Sequence, residues 1–554
     1  MLPTDTHGAD PEPQPTDARS HCLLSSFLIL ALGIALYFPA INWGLPATFS
    51  WSQDTIAGVR TLGAVEEWPA RWRGVYPPLH YLVLRAAYEP VLRHWSTSGG
   101  LVLDPQTGLS ELAEPQAPKT GVLFLIAGLL SATMAVGAGL VLYAAARQLT
   151  DDDAPAVAAA AAFMIGADFT YFAHLGNVDV PSLFWFVGSV FFYLRLCREV
   201  TLRDAALLGL FGSLAISTKD ATACAYPGMA VALLAIEIRR QPTWRSFLRK
   251  TLESLHRREW IAGLAAFTIP YVLLNGVLWN LRDYITRMKH GLAITSDAVY
   301  AQHHRYNDLV ELLRAVGHYA ASSVGWPMLA AMLLAVVYTL RRHRTTALLI
   351  LVPAASYLLL LLSTARFVYA RFLFPVLALF AILVGITAGD LWKRKLFGMW
   401  TRNLIVFAVL VPSVAYAMAV NAEMLTDSRY DAEAWFLEHV RSPADVGAFC
   451  KPQYLPRLHE LGYATFLVEM ERESFDHPQP EYLVLSSFDY EDYDDSQQRC
   501  MNDLLNERLG YREVARFQRR FLGAGASYLG LAGWGTPPIG KISPTVIILQ
   551  RTNQ

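Results

Sequence analysis

Charge is scarce in this chain of 554 residues: Asp, Glu, Lys and Arg make up 17% of it, against 54% hydrophobic residues. A soluble protein carries about a quarter charged residues, so this much apolar surface calls for membrane spans. The mean hydropathy of +0.29 points the same way. A surplus of basic residues is also missing, since 46 Lys and Arg stand against 47 Asp and Glu. That excludes nucleic acid as the main partner, because a phosphate backbone is held by net positive charge. Cysteine is rare, and the five present show no metal-ligand spacing. Cys22, Cys197 and Cys224 fall in apolar runs and read as inert filler. Cys450 and Cys500 are the only pair in the tail and could close a disulfide in an oxidising compartment. Self-similar repeats are not evident, which weighs against transporters built from inverted repeats.

What is present is a series of apolar windows of helical length. They lie at roughly 22–42, 120–147, 154–174, 178–196, 203–219, 222–238, 259–279, 318–340, 345–363, 370–390 and 403–421, about eleven in all. Residues 1–21 are rich in Pro, Asp and Thr and read as a disordered cytoplasmic N-terminus. The run after them is longer than a secretory signal core and lacks a small-residue cleavage site, so it reads as a span. Basic residues cluster at 195–203, 239–258, 341–344 and 393–402. These loops alternate consistently if all are cytoplasmic. The segments 43–119, 175–178, 219–222, 280–317, 364–370 and the tail then face the other side.

That alternation requires Pro77–Arg93 not to cross the membrane. The segment opens with two prolines, suited to a first helical turn. Leu79, Leu82, Val83, Ala86, Ala87 and Val91 give it an apolar stripe, interrupted by Arg85, Glu89 and Arg93. Short and charged, it suits the membrane interface. Ser96–Pro118 reads as an irregular excursion. From Leu425 onward charged residues become frequent. Ala464–Val468, Tyr482–Leu485 and Thr545–Leu549 read as strands, and Asp431–Val440 and Cys500–Leu509 as amphipathic helices. The fold class is therefore mainly α and polytopic: a transmembrane domain at 22–424, including the external loop 43–119, plus a soluble extracytoplasmic α/β domain at 425–554.

The external loops collect polar residues that are costly at membrane depth and usually face a cavity. Asp54 follows the first span. His174-Leu-Gly-Asn177-Val-Asp179-Val-Pro181, Ser217-Thr218-Lys219-Asp220 and Ala365-Arg366-Phe-Val-Tyr-Ala-Arg371-Phe join later pairs. Bland readings exist for each. Asp54 could cap a helix starting near Thr55, Asn177 and Asp179 form an ordinary helix start, and Lys219, Arg366 and Arg371 could snorkel. Trp51, Trp68, Trp72, Tyr76 and Tyr81 suit either sugar stacking or an interfacial belt. His80, His303 and His304 could ligate a metal together with a carboxylate, or serve as ordinary histidines.

An acid in the first external loop, Tyr76-Pro77-Pro78-Leu79-His80-Tyr81, Asn177-Val-Asp179-Val-Pro181, Ser217-Thr218-Lys219 and Ala370-Arg371-Phe372-Leu373-Phe374-Pro375 occur in this order. That order resembles the GT-C glycosyltransferases of the dolichyl-phosphate-mannose–protein mannosyltransferase and bacterial aminoarabinose transferase type, over roughly 22–421. The resemblance implies a GT-C-like bundle that moves a sugar, with inversion, from a polyprenyl-phosphate donor to a lipid, glycan or protein acceptor. It implies an extracytoplasmic site in a bacterial inner membrane. By the same resemblance Asp54 is the base that takes the acceptor's proton, and Asp179 shares a metal or holds the acceptor. Lys219, Arg371 and Arg366 would neutralise the donor phosphate, with Asn177, Tyr76, His80 and Tyr81 lining the substrate. A divalent metal on Asp54, Asp179 and His303 is an open expectation. Many relatives carry a second acid beside the first, whereas Gln53 precedes Asp54 here. The Lys that precedes Pro-Pro in aminoarabinose transferases is Tyr76 here. A transporter or flippase of lipid-linked sugars is the alternative reading.

Overall fold

The computed structural model describes residues 15–52, 54–72, 74–103, 110–112, 116–150, 152–239, 258–296, 306, 308–394, 398–476, 480–487, 493–518 and 542–552. Every apolar window contains helix. Among the described residues six helices are long and apolar enough to cross a membrane, or up to eight if each of two bent pairs counts as one span. The window at 154–174 is one bent pair, Asp153–Met164 and Ala167–Ala173, at 73°. The window at 318–340 is not one helix either: Leu309–Val324 meets Trp326–Arg342 at 115°. The cause is local. Gly325 adopts a φ of +80° and Pro327 stands in the first turn of the next helix, which cannot continue the ladder backwards. Ser413 Oγ donates to the Val324 carbonyl beside the break at 2.8 Å, giving it a partner inside the bundle.

Close helix packing rests on small residues. A Cβ on Gly209 would lie 2.0 Å from the Gly263 carbonyl oxygen, so helices Leu202–Ile216 and Arg258–Leu274 touch backbone to backbone. Basic helix ends meet: Arg239 donates to Thr345 Oγ1 at 3.3 Å, and Asp390 accepts from His343 at 3.3 Å and Arg394 at 3.1 Å. Two polar connections are joined to the first loop through the backbone. Ile56 N donates to Gly176 O at 2.9 Å and Leu79 N to Ser217 O at 3.0 Å.

The helix expected at Pro77–Arg93 runs from Leu79 to Thr97. Its buried face is Leu79, His80, Tyr81, Leu84, Tyr88 and Leu92, rotated from the expected stripe. Tyr81, Leu84 and Tyr88 pack in a satellite core with Leu123 and Val178, and Leu82, Val83 and Ala86 are left outside the buried set. Aromatic bulk won over aliphatic count. The excursion expected at Ser96–Pro118 contains an antiparallel pair, Leu101–Leu103 with Ser110–Leu112.

Beyond helix Met399–Leu425 the chain forms a five-stranded sheet in the order Ala464–Leu467, Asp445–Ala448, Tyr482–Ser486, Val546–Arg551, Tyr511–Phe517. The first three are mutually parallel and the rest pair antiparallel. Helix Ser428–His439 begins earlier than expected, and Asp495–Leu505 replaces the expected Cys500–Leu509 because Asp494 and Gln497 form a capping box. Side chains alternate across the sheet: Val446, Tyr482 and Ile548 build one core, Leu483, Leu485 and Leu549 the other. Cys450 sits in the first and Cys500 in the second, so the sheet separates them and they form no disulfide with each other.

The alternation of basic and polar ends predicts sidedness. Arg93 and Glu438 are 78% and 79% exposed. A cysteine at either should react with an impermeant maleimide on intact cells, whereas one at the exposed Arg342 should need permeabilisation. The reverse pattern would overturn the map.

Candidate active site

Four connections meet in one ion-pair cluster. Arg371 NH1 lies 2.8 Å from Asp54 Oδ2, its Nε 3.9 Å from Asp179 Oδ2, and Lys219 Nζ bonds Asp179 Oδ1. Local structure places each group. Asp54 stands in the turn where Thr55 N bonds Ser52 O at 3.3 Å. Asp179 opens helix Asp179–Arg198, its N–H bonded to Asn177 Oδ1 at 3.1 Å. Lys219 sits in an extended conformation before the short 3-10 turn Asp220–Ala225, and Arg371 in the turn Ala370–Phe372 ahead of Pro375.

The cluster is dry but open at one side. Asp179 is 4% exposed and Lys219 11%, whereas Arg371 and Asp54 are 16% and 15% exposed. Aromatic rings wall it: the Arg371 guanidinium lies 5.0 Å from the Tyr369 ring and 5.6 Å from Phe172, and Lys219 Nζ lies 4.8 Å from Phe372. Burial pushes the Lys219 ammonium below its ordinary value, with the Asp179 carboxylate opposing the shift. For Arg371 burial works in the same direction, but Asp54 and Asp179 outweigh it and hold the guanidinium charged. Tyr76 also helps to hold that guanidinium charged.

Of the residues expected in the site, the structure brings together Asp54, Asp179, Lys219, Arg371 and Tyr76, with buried Asn177 beneath Asp179. Asp54 caps no helix: the next one, Val59–Val65, has Gly58 at its N-cap without a side-chain bond. Tyr81 is buried edge-on against Trp72, with ring centroids 5.1 Å apart. Trp51 is 1% exposed, which removes it from sugar stacking. Arg366 stands apart, exposed at the left-handed C-cap of helix Arg344–Ala365. His80 is 1% exposed and burial pushes its imidazole down to about 3, which keeps the ring neutral. His303 and His304 lie outside the described residues. Among the described residues no group of three or more His, Cys, Asp or Glu side chains could hold a metal ion. The donor set does not suit one either, because each carboxylate of the cluster already faces a cation.

Further contributors were not singled out from the sequence. Tyr369 and Phe372 lie within the Arg371 motif, and their place around the guanidinium emerges only from the turn they form. Arg287, on the amphipathic helix Leu281–Ser296, donates to Asp220 at 2.6 Å and to Asn275 at 3.3 Å, and Asn275 donates to Ser217 at 3.0 Å. This network backs the Lys219 connection, and Arg287 gave little signal because Arg282, Asp283, Lys289 and His290 share its helix.

Residues 121–254 match the family described as dolichyl-phosphate-mannose-protein mannosyltransferase. Among curated proteins no sequence matches. Solved structures that align include the archaeal oligosaccharyltransferase AglB from Archaeoglobus fulgidus in complex with an inhibitory peptide and a dolichol-phosphate. It aligns at TM-score 0.46 and 11% identity, over 97% of this chain and 89% of that one. ArnT from Cupriavidus metallidurans bound to undecaprenyl phosphate aligns at TM-score 0.48 and 14% identity, over 96% and 98%. The S. cerevisiae protein O-mannosyltransferase Pmt1-Pmt2 complex bound to the sugar donor aligns at TM-score 0.30 and 11% identity, over 56% and 37%. The family match spans the segment that carries Asn177, Asp179 and Lys219, and over that segment the chain is similar to the membrane glycosyltransferases of this family.

Proposed function

We propose that the protein moves a sugar, with inversion, from a polyprenyl-phosphate donor to an extracytoplasmic lipid, glycan or protein acceptor in a bacterial inner membrane. On this reading 22–424 is the transferring unit, with its site on the outer face, and 425–554 an extracytoplasmic unit. The single observation that carries it is the pairing of Arg371 with Asp54 at 2.8 Å at the rim of the bundle. The acceptor hydroxyl attacks the anomeric carbon, its proton passes to the Asp54 carboxylate, and the bond from that carbon to the phosphate oxygen breaks. The leaving polyprenyl phosphate keeps the electron pair. Charge therefore grows on its oxygens as Arg371 and Lys219 face them. Asp179 holds Lys219 and orients it, Tyr76 lines the phosphate side, and no step runs through a metal. Helix breaks are a feature of transporters, but the charged groups of this cluster sit in connections and at a helix start.

Asp54→Asn keeps size and most hydrogen bonding but removes the proton acceptor. Turnover should fall about a hundred- to ten-thousandfold, the usual worth of general-base assistance, with membrane insertion intact and donor binding no weaker. Near-normal transfer by this variant would sink the base assignment. A second expectation concerns charge balance. Arg371→Gln leaves two neighbouring carboxylates without their shared partner, which costs on the order of 3 kcal/mol at a buried site. Adding Asp54→Asn should recover part of it, so thermal unfolding in detergent should show the double variant above Arg371→Gln alone. Transfer should also persist in excess EDTA; a loss that added divalent metal restores would contradict the metal-free cluster.

A further inference from the structure

The tail grips the same loop that carries Asp54. Asp427 and Arg429, both fully buried, form a bidentate pair with bonds of 2.9 and 2.7 Å. Asp427 also accepts from Trp43 Nε1 at 3.0 Å and from Ser543 N at 3.0 Å. The Arg429 guanidinium lies 4.0 Å from the Trp51 ring and 5.2 Å from Trp43. Trp51 Nε1 donates to Leu455 O at 3.0 Å, and Gly44 N donates to the Tyr430 hydroxyl at 2.8 Å. The grip continues toward Asp54. Ser50 Oγ meets Thr55 Oγ1 at 3.1 Å, and Tyr171 donates to Ser52 Oγ at 3.2 Å. Three residues span at most about 11 Å, so a displaced Trp51 displaces the Asp54 turn.

We infer that the Asp427–Arg429 pair and Trp51 are positioning residues for transfer, through which the C-terminal unit sets the carboxylate of Asp54; this rests on the role proposed for Asp54. Adhesion alone does not need such a pair, because apolar residues bury at an interface without the desolvation cost of two charges. Bidentate and stacked contacts constrain direction as well as distance: the pair fixes Asp427 to accept from Trp43 and Arg429 to stack on Trp51. The tail is thus a part of the site's construction and does more than sit beside it.

The test uses full-length protein in nanodiscs, with Asp427→Asn and the milder Trp51→Phe; Arg516→Ala, on an exposed ion pair of the tail's edge strand, is the control. Hydrogen exchange of amides 44–56 should quicken about tenfold in both variants while the helices keep their rates. The kcat should fall about ten- to a hundredfold, since a displacement near 1 Å can cost that much, with donor KM unchanged. In an Asp54→Asn background the Trp51→Phe loss should nearly vanish. Unchanged exchange overturns the grip, and a kcat within about twofold of the control overturns the positioning role. A full additional loss in the Asp54→Asn background overturns the route through Asp54. Should Asp54→Asn itself transfer normally, only the base reading fails, and exchange still decides the grip.

Discussion

A charged group that leaves water must find its opposite, and Arg371 is where this chain meets that constraint. Its guanidinium reaches Asp54 on one side and Asp179 on the other, and Asp179 also holds Lys219. These residues come from connections spread over more than three hundred positions of sequence, so satisfying them ties the ends of several helices to one point. Unpaired, any one would cost several kcal/mol in such surroundings. The backbone bonds from Ile56 to Gly176 and from Leu79 to Ser217 follow the same convergence.

Pairing alone would not keep the cluster dry. Tyr369, Phe372 and Phe172 form its walls, and their π faces accept the cations while excluding water. From outside, the tail closes the first loop down. Arg457 adds to that closure, stacked 5.4 Å from Trp51 and bound to Glu433 at 2.6 Å. Burial pulls the Arg457 guanidinium down, and Glu433 more than offsets it, so the cation persists at the contact.

The charged residues that converge were more legible in the sequence than the breaks and short strands of the scaffold. Asp54, Asp179, Lys219 and Arg371 stood out because ionisable residues among apolar windows are expensive and therefore informative. Helix breaks were less legible: at Gly166 and Gly325 the hydropathy runs on while the backbone turns, so a window average reads through them. Two strands of the tail were also missed. Asp445–Ala448 is short and contains Gly447, and Tyr511–Phe517 is an edge strand whose Arg512, Glu513 and Arg516 hide its β character behind charge. The first-loop helix was found but its face was misjudged, because Tyr81 and Tyr88 take the buried side that an aliphatic count gave to Leu82 and Val83.

A cluster of two carboxylates and two cations is electrically balanced, which has a consequence for a phosphate donor. An incoming anion cannot simply add to the site; it has to take a cation from a carboxylate. The two pairs are not equal in this exchange. Lys219–Asp179 is the more buried, with Asp179 4% exposed, and separating it would strand a charge away from water. Arg371–Asp54, at 16% and 15%, opens toward the rim, where the released carboxylate can meet solvent or an acceptor hydroxyl. The donor would therefore draw Arg371 away first. On the proposed reading, a phosphate that takes Arg371 frees the Asp54 carboxylate to meet an acceptor hydroxyl at the rim, so donor binding prepares the site for the acceptor.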